Sequence, residues 1–239
     1  MRKKTFRGGI HPDDCKALTR DMPVCTMPAP PRVVVPLRQH SGAPARALVK
    51  AGDRVAEGQP IGEEIGFVSV PVHAPIAGEV VSVASHPHPG GFDWEAVTIR
   101  AVVPKPEDES PPAADPAPWR IPEARADWEA LSPDALRNII RQAGIVGMGG
   151  AAFPAHVKLA PPSDRRIDTL IINGAECEPY LTCDHRVMLE NTRDVVTGVR
   201  ILRHILGIDQ VLVGIEDNKP DAIVHMTAAF EGVDAVTVV

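Results

Sequence analysis

The stretch that decides the fold is 168–239: DTLIIN (168–173), TRDVVTGVRILRHIL (192–206), VLVGI (211–215), KPDAIVHMTAAF (219–230) and AVTVV (235–239). DTLIIN, VLVGI and AVTVV are short apolar, β-branched runs bounded by turn residues, the pattern of buried strands. Between the first two, Val195, Val196, Val199, Leu202 and Leu206 recur at helical spacing, and KPDAIVHMTAAF reads as the next helix. A β-α-β-α-β order predicts an α/β fold with a mostly parallel sheet and covering helices. The last strand is still running at residue 239, and parallel strands are normally buried under further crossovers, so the protein is expected to continue.

Upstream of the strands, Ser132-Pro133-Asp134 is a strong helix start: Ser caps free amides, Pro suits the first turn, and Asp favours the positive end. Leu136, Ile139, Ile140 and Ala143 form its apolar stripe and Gly144 its stop. Earlier still, VPKPEDESPPAADPAPWRIP is interrupted by seven prolines from Pro104 to Pro122, which reads as a semi-extended linker. Residues 28–103 read as short strands with turns at Ala51-Gly52-Asp53, Glu57-Gly58-Gln59 and Ala77-Gly78, a small all-β unit. The expected organisation is a 1–27 extension, a 28–103 β-domain, a 104–128 linker and a 129–239 α/β domain.

Composition narrows the function. The chain has 239 residues, 44% of them hydrophobic, enough for an ordinary core, and a net charge of −6. That balance argues against a general nucleic-acid binder, which carries a basic face over phosphates. No run of about 18 apolar residues occurs, so nothing in these residues reads as a membrane-spanning helix. The basic start MRKKTFRGGIHPDD lacks a following apolar stretch and does not read as a signal peptide, which makes the cytosol the expected compartment. Cys15, Cys25, Cys177 and Cys183 form no CxxC pair, so they read first as buried or incidental thiols.

The chemistry-bearing residues lie in three loops. GIVGMGGAAFP (144–154) carries Gly144, Gly147, Gly149 and Gly150, which let a backbone approach a ligand closely and aim amides at phosphate. It is neither a P-loop nor the usual dinucleotide fingerprint, and a purely structural loop stays open as a reading. Lys158 could reach a phosphate or a flavin carbonyl, and Phe153 could lean on a cofactor ring; a surface lysine and a core phenylalanine are the alternatives. After the 168–173 strand, NGAECEPYLTCDHR reads as a turn-rich loop bearing Asn173, Glu176, Glu178, Asp184 and Arg186. IEDNKP places Glu216, Asp217 and Asn218 after the next strand, with Asn218 also suited to cap a helix. Open α/β sheets bind ligands at the carboxyl ends of their strands, so these loops predict a nucleotide-sized pocket.

The motifs also carry resemblances. V-x-x-G-D-x-V-x-x-G-x-x-I at Val49 to Ile61 and A-P-I-A-G-x-V at Ala74 to Val80 resemble the barrel-sandwich hybrid of lipoyl and biotinyl carriers. The carrier lysine is missing from the intervening EIGFVSVPVHAP, which favours a structural or docking module. GIVGMGGAAFPAHVK is similar to the flavin loop GxGRGGAGFPxGxK of the 51-kDa-type NADH-binding subunit of respiratory complex I. IINGAECEPYLTCDHR is similar to that family's NxDExEPGxxKDR segment, although Met148 and Ala175 stand where it has arginine and aspartate.

With TFRGGIHP at Thr5 to Pro12, the β-module, GMGGAAFP, NGAECEP and GIEDNKP in order, the chain resembles the RnfC family of the Rnf (Rsx) ion-translocating electron transport complex. The resemblance implies FMN wrapped by Gly147, Gly149 and Gly150 near Phe153 and Lys158. Asn173 would face the isoalloxazine, Glu178 the NAD(H) side with Glu176 supporting the loop, and Glu216 the strand end beside the flavin. It further implies electron transfer between NAD(H) and ferredoxin-type carriers, coupled to ion translocation. Integral-membrane and iron–sulfur subunits would be partners, at the cytoplasmic side of the cell inner membrane. Two [4Fe–4S] clusters belong to the family, but their CxxCxxCxxxCP ligands are absent from these residues. A non-catalytic assembly module and a soluble flavin-linked NADH dehydrogenase are the competing readings.

Overall fold

A computed structural model describes residues 12–102, 127–162, 164 and 166–239. Most of TFRGGIHP and nearly all of the proline-rich linker lie outside the described residues. The chain forms two compact units, Pro28–Pro162 and a second made of Met1–Met27 with Ser163–Val239.

The Pro28–Pro162 unit is built on two antiparallel sheets. Strands β1 (Arg32–Pro36), β3 (Arg54–Val55), β6 (Gly78–Pro87) and β7 (Asp93–Ala101) make one, in the order β1-β7-β6-β3. Strands β2 (Arg46–Ala47), β4 (Pro60–Glu63) and β5 (Val72–His73) make the other, in the order β2-β4-β5. Between them Leu37, Ile61, Val80, Val97 and Ile99 are essentially solvent-free. The two sequence motifs, 49–61 and 74–80, interlock. Gly52 N donates to Val80 O and Val80 N to Asp53 O, both at 2.8 Å, while Gly58 N and Ala74 N make the matching pair with Ala74 O and Gln59 O. Both turns of the 49–61 motif therefore close onto the two ends of the 74–80 motif, pairing backbone amides that a small barrel would otherwise leave open.

This unit continues into helix α1 (Pro133–Gln142), the glycine-rich loop and the single-turn helix α2 (Ala155–Lys158). Ser132 Oγ accepts from the Ala135 amide, as the cap expected there requires. The lysine-free hairpin explains the docking: Arg141 and Gln142 reach Glu64, and His156 Nε2 meets Phe67 O at 3.0 Å. Packing thus draws its line near residue 162, whereas the change of sequence period lies near 129.

In the second unit, β8 (Thr169–Gly174), β9 (Gln210–Ile215) and β10 (Val236–Val238) form a parallel sheet in the order β10-β9-β8. Helices α3 (Cys183–Glu190), α4 (Thr192–Leu206) and α5 (Pro220–Ala229) supply the connections. Val199, Val211, Val213, Ala222 and Met226 centre its core. Register puts Leu170, Ile172, Val211, Val213, Val236 and Val238 on the core face. Helix α3 lies inside the stretch expected as loop, so Asp184 and Arg186 stand on a helix. CDHRVMLE has only a weak apolar stripe, and no local signal announces it. None of the four cysteines is buried: Cys15 is half-buried and the others are exposed, all as free thiols.

Candidate functional site

The glycine-rich loop is a closed hairpin with a bare tip. Val146 bridges Pro154, Gly147 N donates to Phe153 O and Ala155 N to Ile145 O, each at 3.0 Å. Ser41 holds the far side, its hydroxyl donating to Ala151 O at 2.6 Å and its amide to Ala152 O at 3.2 Å. Gly144 turns the chain into the loop at φ +70°, and a Cβ there would lie 2.8 Å from Pro71 O. At the tip, the amides of Met148, Gly149, Gly150 and Ala151 donate to nothing among the described residues. A Cβ on Gly149 or Gly150 would meet nothing within 4 Å, so the space beside those amides is open. At Gly147 the same atom would come 2.7 Å from Lys158 Nζ. The absent side chain is what lets the ammonium lie against the loop.

Unpaired amides plus a neighbouring cation form an anion cradle. The cradle borders a cleft of about 410 Å³ lined also by His40, Pro71 and His73. Burial pushes the His73 imidazole below its ordinary value, against a hydrogen bond with the Gln142 backbone. Phe153 is half-buried, and its carbonyl closes the loop neck. The free amides, the room beside Gly149 and Gly150, and the Lys158 ammonium fit the anionic and carbonyl groups of FMN.

Asn173, Glu176, Glu178 and Glu216 come together in the second unit at the carboxyl ends of β8 and β9. Asn173 is exposed, its Oδ1 accepting from the Ala175 amide. Glu176 is 3% exposed and caps α3: its Oε1 accepts from Asp184 N at 2.8 Å and from Cys183 Sγ at 3.3 Å. Its Oε2 is buried with no hydrogen-bond partner among the described residues. Glu216 Oε2 accepts from Lys219 Nζ at 2.5 Å and from the Glu176 amide at 3.3 Å, bracing one loop against the other. Glu178 is exposed. A cleft of about 480 Å³ opens here, lined by Asp13, Asp14, Lys16, Glu176, Glu216 and Asn218 among others.

The electrostatics follow from this crowding. Burial, then the Glu176 charge, raises the Asp184 carboxyl above its ordinary value. Burial also pushes Glu216 up, but the Lys219 ammonium and the Glu176 amide outweigh it and hold the carboxyl below the usual range. Burial and the hydrogen bond to Glu176 push the Cys183 thiol up. Asn218 does not cap α5; its Oδ1 accepts from Lys219 Nζ at 3.2 Å, because the nearly solvent-free lysine claims it.

Sequence reasoning missed Lys16, Lys219, His40 and His73. Each is defined by a partner far along the chain or by burial, and no local pattern marks it. Lys219-Pro220 is visible in the sequence only as a helix start.

Comparison with known proteins places these loops in a family context. Residues 4–102 match the RnfC barrel sandwich hybrid domain and residues 140–239 the Nuo51 FMN-binding domain. The C-type subunit of a proton-translocating ferredoxin:NAD(+) oxidoreductase complex from Clostridium ljungdahlii is 49% identical over 231 residues, 96% of this chain and 48% of that one. Its Na(+)-translocating counterpart from Acetobacterium woodii is 41% identical over 227 residues, 94% of this chain and 48% of its own length. The corresponding protein of an ion-translocating oxidoreductase complex from Yersinia pseudotuberculosis is 42% identical over 233 residues, 97% and 31% of the two chains. The chain therefore spans about a third to a half of the length of these curated relatives.

Proposed function

Because the chain belongs to the RnfC family of ion-translocating oxidoreductase complexes, we propose that it binds FMN and serves electron exchange between NAD(H) and ferredoxin-type carriers, coupled to ion translocation. The observation that carries the reading is the bare tip of the glycine-rich loop, with four amides unpaired among the described residues and the Lys158 ammonium beside Gly147. It falls inside the stretch that matches an FMN-binding domain.

In this reading Gly147, Gly149 and Gly150 admit the flavin to van der Waals contact with the backbone, and Lys158 offsets its negative charge. Phe153 borders the ring. Glu178 serves the NAD(H) side, while Glu176 and Glu216 keep the loop ends of β8 and β9 in register. Bound there, FMN would supply the conversion between two-electron and one-electron transfer, while the protein supplies orientation and charge. Ferredoxin is reached through iron–sulfur partners. The protein is peripheral, held by integral-membrane subunits at the cytoplasmic side of the inner membrane. In keeping with this, no helix among the described residues is long and apolar enough to cross a membrane.

The test uses the full-length protein titrated with FMN. Gly147→Ala places a methyl 2.7 Å from Lys158 Nζ, and pushing the ammonium away from the loop weakens FMN binding by about tenfold or more. The flexible lysine can swing away, so circular dichroism stays as in the wild type. FMN affinity unchanged in both Gly147→Ala and Lys158→Met would overturn the assignment of this loop.

A further inference from the structure

Lys16 lies in an N-terminal stretch that by sequence matches the barrel sandwich hybrid model, yet it is built into the other unit. The residue is 6% exposed, and its Nζ donates to three backbone carbonyls of a single loop: Glu176 O at 2.7 Å, Glu178 O at 3.0 Å and Leu181 O at 2.6 Å. Three neutral acceptors converging on one ammonium form a filled cation site in which the cation is tethered to the chain. The segment around Lys16 repeats the grip. The Tyr180 amide donates to Asp14 O at 2.8 Å, and the Thr19 hydroxyl donates to Tyr180 O at 3.2 Å. Thr182 Oγ1 donates to Thr19 Oγ1 at 2.9 Å, and Arg186 Nη1 to Arg20 O at 3.0 Å.

Both sides of this contact hold strained backbone. Cys15 sits at φ +50° and Tyr180 at φ +71°, conformations that non-glycine residues adopt only when their surroundings impose them. The Tyr180 turn draws the loop carbonyls inward onto Lys16, and the bend at Cys15 brings the lysine under them. Meanwhile the amides of Cys177, Glu178 and Leu181 donate to nothing among the described residues, and the Glu178 side chain is exposed. The interior of the loop is thus committed to Lys16, while its amides and the Glu178 carboxylate are left for a ligand. Asp13 and Asp14 of the same arm line the adjoining cleft.

We infer that Lys16 is a positioning residue that fixes the Glu176–Leu181 loop for contact with the pyridine nucleotide, making residues 12–20 a wall of that site. This rests on the reading of Glu178 as the NAD(H)-side residue. Lys16 acts through the loop, with no contact to the nucleotide required.

The experiment uses the full-length FMN-loaded protein in its complex, comparing wild type, Lys16→Met and Lys16→Arg. Hydrogen exchange read by mass spectrometry should quicken by about tenfold or more in Lys16→Met at the hydrogen-bonded amides of 176–182, those of Glu176 and Tyr180, because three charge-assisted hydrogen bonds that hold the loop are lost. Peptides from 32–101 should not change. The KM for NADH in flavin reduction should rise by a similar factor with FMN content kept, and Lys16→Arg, which returns a cation, should recover part of both effects. Unchanged exchange over 176–182, or faster exchange with unchanged KM, overturns the inference. Thr19→Val keeps the test open if Lys16→Met does not fold: it removes the hydroxyl bond to Tyr180 O and should raise exchange and KM together by about threefold. A wild-type complex that shows no NADH-dependent flavin reduction would sink the functional reading instead, and the exchange result would still decide whether Lys16 holds the loop.

Discussion

Lys219→Met tests how the parallel unit is held together. Lys219 is 1% exposed, and its ammonium meets Glu216 Oε2 at 2.5 Å and Asn218 Oδ1 at 3.2 Å. Methionine keeps much of the buried stem but leaves the Glu216 carboxylate without its cation. Removing one partner of a fully buried pair costs about 3–5 kcal/mol. The Glu216 side chain is 27% exposed, so water recovers part of this and about 2–3 kcal/mol is expected.

The effect has a pH signature. The Glu216 carboxyl is held below its ordinary value of 4.5, so its pairing stabilises the fold fully above that value and is lost as pH falls through the lowered one. The gap between wild type and Lys219→Met should therefore be complete at neutral pH and close in acid. Tryptophan fluorescence cannot read it, because Trp94, Trp119 and Trp128 all lie outside 163–239. Amide exchange of the β8 and β9 peptides can, and 2–3 kcal/mol corresponds to roughly 30- to 150-fold faster exchange at pH 7. A difference under about threefold at pH 7, or one that persists in acid, would refute the reasoning.

Two further outcomes are expected. Gly144→Ala should destabilise the Pro28–Pro162 unit by about 2–3 kcal/mol, from a left-handed alanine and a Cβ pressed to 2.8 Å of Pro71 O. Urea unfolding followed by Trp94 and Trp128 fluorescence measures it, and a cost under about 0.5 kcal/mol contradicts the packing described. Cys183, its thiol pushed up by desolvation and by the hydrogen bond to Glu176, should react with iodoacetamide at about pH 7.5 more slowly than Cys25, although both are exposed. Equal rates by peptide mass spectrometry would count against the Glu176 cap on α3.

Much of the fold was legible because burial leaves a local period. Val195, Val196, Val199, Leu202 and Leu206 marked α4, and Ser132-Pro133-Asp134 marked the start of α1. Helix α3 was not legible, since it opens directly out of a polar turn. The polar partners of the site were legible only as residue types. Glu176, Glu178 and Glu216 could be placed at strand ends, but that Glu176 caps a helix and Glu216 braces Lys219 depends on packing.

The sequence by itself determined the alternation of strands and helices, the two motifs and the turns of the β-module, the glycine loop and the family. Each of these is written in neighbouring residues: a period of two or 3.6, a glycine where the backbone must stay bare, a motif in fixed order. The tertiary structure decided what those elements rest on. It built the glycine loop against the lysine-free hairpin and committed Lys16 to carbonyls more than 150 residues away. A buried ammonium must find acceptors wherever the fold supplies them, and spacing along the chain carries no record of which carbonyls those will be.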